Sequence, residues 1–353
     1  MFIQLLPSPN EMKEQLPLSP YAKERVQRGR DQAEAIVLGR DSKTALIVGP
    51  CSIHEIDSTL EYAVKLKKLA EDVQENFSIF MRVFIEKPRT KIGWKGLIHD
   101  PGLDGSNDME KGIALSRELL LRLAHLGMPC ATEFVDPLFI PYLEDLISWG
   151  FIGARTSASQ PHRELASGLA FPIGFKNQVD GDIEIAIDGA LSARCSHSSI
   201  GIDASGRVAK LSAQGNPLSH LVLRGSDAAP NFDPLSIASA LYKMRNLKLD
   251  SRILVDCSHG NSQRKAEQQR VSFHSILNQI VGGSSAIMGL MLESFLYEGK
   301  QSLKEYLQYG VSITDACLGW KETEELISSA SDLLSSSKKE LPSLSISMSS
   351  VQN

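Results

Sequence analysis

The sequence predicts an α/β fold: a (β/α)8 barrel of the TIM type, preceded by an N-terminal extension and interrupted by one inserted β-hairpin. Three observations carry this expectation. Eight short apolar, partly β-branched runs are spread along the middle of the chain, helix-forming stretches alternate with them, and a charged or metal-ligating residue stands at or after each run. Strands that alternate with helices favour a parallel barrel over a sandwich, and such barrels build their sites at the C-terminal strand ends.

Taken in order, residues 1–43 read as the extension. Pro7, Pro9, Pro17 and Pro20 break its first half, and a helix is expected from Ala22 to Leu38. The barrel is expected over 44–334. Its strand runs are Ala45–Val48, Ile79–Phe84, Pro129–Thr132, Phe151–Ala154, Pro172–Phe175, Leu221–Leu223, Ile253–Val255 and Ala286–Met291. Helical spacing of apolar residues marks Leu60–Val73, Gly112–His125, Pro137–Ser148, Pro234–Leu247 and Arg264–Gln279. Ile183 to His220 is too long for a simple crossover, so Ile200–Asp203 and Arg207–Leu211, joined by Ala204-Ser-Gly206, read as a hairpin. Residues 335–353 are rich in serine and poor in large apolar groups, which predicts a disordered tail.

Composition removes several function classes. A formal charge of -5 with no dominant basic block argues against a nucleic-acid partner. No run of apolar residues approaches the length of a membrane span, and the N-terminus lacks the basic start of a signal peptide. Cys51, Cys130, Cys195, Cys257 and Cys317 are odd in number and widely spaced, which fits a reduced, cytoplasmic protein better than a disulfide framework.

Two chemical sets emerge from the residues at the strand ends. Cys51, His259, Glu293 and Asp315 offer thiolate, imidazole and carboxylate, a donor mixture suited to a borderline first-row cation. Arg82, Lys87, Arg89, Arg155, Lys176 and Arg224 are cations in a net acidic chain, and guanidinium groups bind phosphate and carboxylate bidentately. Glu133 follows the third run. Taken singly, each has a bland reading. Cys51 is a packed thiol, His259 a satisfied loop histidine, Glu293 a helix-starting carboxylate, and Arg155 and Arg224 surface ion-pair partners. His54, three residues after Cys51, imitates a zinc pair but has no second pair nearby. The combination carries the functional reading.

Several stretches then resemble one family. GPCSIH from Gly49, MRVFIEKPRT from Met81, EFVDP from Glu133, GARTSASQPHRELASGL from Gly153, GFKNQVDG from Gly174, VDCSHGNS from Val255 and YGVSITDACLGW from Tyr309 are similar to class I (short-form, microbial) 3-deoxy-D-arabino-heptulosonate 7-phosphate (DAHP) synthases, over roughly residues 40–330. The resemblance implies condensation of phosphoenolpyruvate with erythrose 4-phosphate, opening the shikimate pathway to aromatic amino acids. It places Cys51, His259, Glu293 and Asp315 on a divalent metal (Mn2+, Fe2+, Co2+ or Zn2+). Arg82, Lys87, Arg155, Lys176 and Arg224 fall on phosphoenolpyruvate with Glu133 beside them, and Lys87, Pro88, Arg89 and Thr90 on erythrose 4-phosphate. Lys87, His259 and Cys51 are the candidate catalytic residues. A homodimer or homotetramer is implied as well.

The departures lie outside this set. His99 stands where the family commonly has Asn, Phe295 where many members have His, and Ala158 and Pro161 alter the loop after Arg155. The resemblance places Ala170, Ser199 and Gly201 around the family's feedback pocket for an aromatic amino acid, Tyr or Phe. Ala170 and Ser199 differ from strongly phenylalanine-sensitive members and Gly201 stands where those carry Ser, which leaves room that favours Tyr, with loss of feedback equally open. Two other readings stay open at this point: a related synthase joining phosphoenolpyruvate to a different aldose, and a catalytically silent subunit that only binds the effector.

Overall fold

The structure, a computed structural model, describes residues 3–249, 252–303 and 306–340. Eight parallel strands close into a barrel: β1 (Thr44–Gly49), β2 (Phe77–Arg82), β3 (Cys130–Phe134), β4 (Trp149–Ile152), β5 (Ile173–Lys176), β8 (His220–Leu223), β9 (Ile253–Asp256) and β10 (Ile287–Glu293). All eight expected runs are strands, with the second and the fourth starting and ending two residues earlier than the sequence indicates. Around the barrel the order is β1, β10, β9, β8, β5, β4, β3, β2, and β1 pairs with β2 to close it. The inserted hairpin is β6 (His197–Ile202) with β7 (Val208–Ala213), longer at its outer ends than the sequence suggests.

Alternation along the strands divides the core in two. Ala45, Ile47, Phe80, Ala131, Trp149, Phe151, Val222, Leu254 and Met288 fill the barrel interior, while Leu46, Val48, Ile79, Met81 and Ile173 pack outward against the helices. The outer layer holds α3 (Ile56–Asp72), α4 (Met109–Leu126), α6 (Gln160–Gly168), α7 (Glu184–Ala193), α8 (Pro234–Asn246), α9 (Gln269–Val281) and α10 (Trp320–Glu340).

The extension contains α1 (Pro9–Gln15), which the prolines had hidden, and α2 (Pro20–Val37). Ser8 and Glu11 cap α1 reciprocally, and Pro9 takes the first turn, where its missing N–H costs nothing. Ala33, Ile36 and Val37 of α2 join the barrel-interior cluster, and Arg30 donates to the Ile147 carbonyl just before β4. Helix α2 therefore closes the N-terminal end of the barrel.

Three other expectations are corrected. Pro137–Ser148 is not one helix but two 3-10 turns, Pro137–Phe139 and Glu144–Leu146, around a single α turn, α5 (Ile140–Leu143). Pro141 has no N–H for a helical bond inside so short a run. The stretch Arg264–Gln279 becomes helical only at Ala266, and α9 starts at Gln269, because Gln263 and Arg264 adopt positive φ of 51° and 60°. Finally, α10 continues to Glu340, past the expected start of the tail, and residues 341–353 lie outside the described residues. Among the described residues no helix is long and apolar enough to cross a membrane.

Candidate active site

The C-terminal strand ends bring the two sets to neighbouring sectors of the barrel mouth, which meet where Arg82 and Lys87 touch Glu293 and Cys51. Cys51, Glu293 and His259 come from β1, β10 and β9, which are adjacent in the barrel. Arg224, Lys176 and Arg155 come from β8, β5 and β4, the next three strands. Strand β2 and its loop add Arg82, Lys87, Pro88, Arg89 and Thr90, β3 adds Glu133, and Asp315 enters from the loop before α10.

In the first sector Cys51 Sγ and one carboxylate oxygen each from Glu293 and Asp315 lie within 4.8 Å of one another. This mixed sulfur and oxygen set fits a borderline divalent cation better than calcium or magnesium. His259 stands at the edge of the cluster, with Nε2 3.8 Å from Glu293 Oε1, and is not within the same mutual distance of all three. Burial pushes the Cys51 thiol up to about 11, the Glu293 charge adds to this and Lys87 opposes it. Without a cation the sulfur is a thiol; a cation binding there displaces its proton.

Lys87 Nζ lies 3.2 Å from Cys51 Sγ and donates to the Cys51 carbonyl at 3.2 Å. Burial pulls its ammonium down, but the electrostatic pull of Cys51 and Glu293 beside it outweighs this and raises it above the ordinary lysine value. Arg82 is fully buried and donates to Glu293 Oε1 at 2.8 Å and to the Pro50 carbonyl at 3.1 Å. Lys176, also buried, pairs with Glu133 at 3.1 Å and Asp256 at 3.3 Å. Burial pushes Glu133 up, yet Lys176, Lys87 and Arg82 together bring its carboxyl below the ordinary value.

One cleft is lined by Arg82, Lys87, Pro88, Arg89, Glu133, Arg155, Lys176, Arg224, His259 and Asp315, with Arg264 among them. Seven Lys and Arg side chains thus face two lining carboxylates. Among the described residues Arg89, Arg155 and Arg224 have no carboxylate partner: Arg89 donates to the Trp94 carbonyl, Arg155 to the Thr90 hydroxyl, and Arg224 to the Gly225 carbonyl. Unneutralised guanidinium groups around a concave site call for a polyanion.

The model of the DAHP synthetase I family matches residues 21–328. The chain belongs to that family. It is 45% identical over 327 residues to the Tyr-sensitive phospho-2-dehydro-3-deoxyheptonate aldolase of Escherichia coli, covering 92% of each chain. It is 43% identical to the Trp-sensitive aldolase of the same organism, covering 92% of this chain and 94% of that one. The solved structure of a phospho-2-dehydro-3-deoxyheptonate aldolase from Francisella tularensis superposes with a TM-score of 0.93 at 40% identity, covering 95% of this chain and 98% of that one.

Against this family background, sequence reasoning missed Asp256 and Arg264. Asp256 ends β9, fully buried, and lies within a stretch already singled out, but nothing in the linear sequence distinguishes it from a helix-capping aspartate. Arg264 looked like the first residue of a helix; its positive φ leaves it in the loop, where it lines the cleft and pairs with Asp227. The expected effector residues separate. Ser199 and Gly201 line a groove of about 950 Å3 between the hairpin, α6 and the turns at 137–144, whereas Ala170 is not part of its wall.

Proposed function

We propose that this chain is a DAHP synthase that joins phosphoenolpyruvate to D-erythrose 4-phosphate and water, giving 3-deoxy-D-arabino-heptulosonate 7-phosphate and inorganic phosphate. The observation that carries the reading is the cleft itself, where Arg89, Arg155 and Arg224 stand without carboxylate partners beside a thiol and carboxylate cluster. Such a cleft suits two phosphorylated reactants. Family membership narrows the pair to these two, against another aldose.

Arg155, Lys176 and Arg224 hold the phosphate of phosphoenolpyruvate, with Arg82, buried against Glu293, on the same cleft. Arg89 and Thr90 hold the second phosphate, so both reactants are fixed before bond formation and orientation supplies part of the rate. Cys51, Glu293 and Asp315, with His259 as fourth ligand, would hold Mn2+, Fe2+, Co2+ or Zn2+. When bound there, such a cation supplies Lewis-acid polarisation of the aldehyde oxygen. Lys87, held protonated beside Cys51, donates a hydrogen bond to that oxygen as negative charge develops on it. Carbon 3 of phosphoenolpyruvate attacks the aldehyde carbon, water adds to carbon 2, and phosphate leaves by cleavage of its C–O bond.

The groove at Ser199 and Gly201 is assigned to an aromatic amino-acid effector, tyrosine in preference to phenylalanine. The Tyr-sensitive and Trp-sensitive names of relatives 45% and 43% identical support an aromatic effector, and the absence of a side chain at Gly201 favours tyrosine over phenylalanine. A homo-oligomer is part of the same reading: Ile3, Leu5, Ile200 and Val208 expose apolar side chains on the extension and hairpin. The defining test incubates the protein with phosphoenolpyruvate, erythrose 4-phosphate and Mn2+, and follows phosphate release and DAHP formation. Turnover that disappears with a chelator and returns with metal is expected. Folded protein that is silent with every divalent metal moves the assignment to an effector-binding subunit, and turnover only with another aldose phosphate changes the substrate.

A further inference from the structure

We infer that Asp256 and Ser258 form a positioning pair that fixes the tautomer and rotation of His259, so that its Nε2 faces the metal cluster. This rests on the reading of the cleft given above and concerns two residues to which that reading assigns no role. Asp256 is fully buried at the end of β9. Its Oδ1 accepts from the Ser258 backbone N–H at 3.0 Å and from the Ser258 hydroxyl at 2.6 Å. The Ser258 proton is thereby committed to Asp256, and the hydroxyl oxygen faces His259 Nδ1 at 2.8 Å as an acceptor. Asp256 Oδ2 lies 2.9 Å from the same nitrogen; it is not aligned as a hydrogen bond, so it acts through its charge. Both neighbours of Nδ1 are acceptors, which puts the ring proton on Nδ1 and leaves the Nε2 lone pair free. That nitrogen is the one 3.8 Å from Glu293.

The arrangement matches the general way in which a ligating imidazole is held through its other nitrogen. The same tautomer would serve a general base; the placement of Nε2 3.8 Å from Glu293, at the edge of the Cys51, Glu293 and Asp315 cluster, is what assigns it to ligation. The competing explanation is that Asp256 only neutralises the buried Lys176, 3.3 Å away. Lys176 already has Glu133 at 3.1 Å, so neutralisation does not require Asp256. The backbone alone does not aim the ring either. His259 sits at φ 54°, held by the turn in which the Arg264 N–H donates to its carbonyl at 2.8 Å.

The test titrates metal-stripped full-length protein with Co2+ and reads the thiolate-to-cobalt charge-transfer band that Cys51 contributes. In Asp256→Asn the midpoint is expected to rise about 10- to 100-fold, the usual effect of losing such a partner. In a His259→Ala background the same substitution is expected to add almost nothing, since its route is gone. Ser258→Ala, a smaller change in case Asp256→Asn does not fold, is expected to shift the midpoint in the same direction by less. A wild-type midpoint in folded Asp256→Asn or in Ser258→Ala overturns the inference, and so does an undiminished Asp256→Asn effect without His259. A wild type with no band sinks the metal reading and this inference with it. A band of equal midpoint in wild type and variants sinks this inference alone.

Discussion

Arg155 reaches the cleft from the loop after β4 and spends its Nε on the Thr90 hydroxyl at 2.8 Å, leaving its other donors for a ligand. Charge-assisted bidentate contacts of this kind contribute roughly 1.5–3 kcal/mol each. Arg155→Ala is therefore expected to lower kcat/KM for phosphoenolpyruvate by about 10- to 100-fold, mostly through KM, and to raise KM for the aldose phosphate less. Steady-state kinetics with each substrate varied in turn checks this; an equal loss for both would place Arg155 between the two phosphates instead. Single residues of this sort were legible in the sequence because a barrel presents its strand ends to one site, so a cation directly after an apolar run has one destination. Asp256 and Arg264 were not, because their meaning lies in what they touch. Asp256 matters through His259 and Lys176, contacts made by different loops and strands. Arg264 matters because two successive residues take positive φ and delay the helix.

At the scale of elements, the hairpin and the broken turns at 137–146 are where the chain differs from a plain barrel. The hairpin was legible from its length and its Ser-Gly turn. The broken turns were not, since their apolar spacing imitates a helix and only Pro141 betrays them. Together they wall the groove, and a buried link ties them to the extension: Arg117 donates to the Leu16 and Tyr142 carbonyls and pairs bidentately with Asp145. Gly201 tests the groove. A Cβ there would lie 2.6 Å from Leu211 Cδ1, so a side chain must push Leu211, which is partly exposed and able to move. Gly201→Ser is expected to fold, to keep kcat, and to weaken tyrosine inhibition by about 10-fold or more, the effect of roughly 1–3 kcal/mol lost in a pocket of changed shape. An inhibition curve identical to that of the unaltered protein would put the effector elsewhere.

Across the whole molecule, the two ends of the barrel do different work. The C-terminal end holds the cleft, while the N-terminal end is closed by α2 and packed with aromatic groups around β4 and β8. His220, the first residue of β8, lies at that closed end with its ring edge-on to Trp149. The Trp149 N–H can only donate, so His220 Nε2 accepts it at 3.3 Å and Nδ1 carries the proton toward the Leu218 carbonyl at 3.0 Å. A neutral ring satisfies both contacts; a second proton breaks the first. Burial accordingly pushes the His220 pKa down to about 4 from an ordinary value of 6.5, with the nearby Arg194 charge adding and the Leu218 contact opposing. In the unfolded chain His220 takes up a proton as pH falls below about 6.5, whereas the folded protein resists until about 4. Stability from this site is therefore complete above pH 6.5 and is lost as pH falls from there through 4, by on the order of 3 kcal/mol in total. Urea unfolding of wild type and His220→Gln between pH 7.5 and 4 measures it. The variant is expected to be less stable at pH 7.5 and to lack this part of the acid-dependent loss, while its pH profile of turnover stays that of wild type. Parallel acid profiles of stability in the two proteins would mean that other groups carry the loss. A turnover profile that moved with His220→Gln would show that the closed end reaches the chemistry through the barrel.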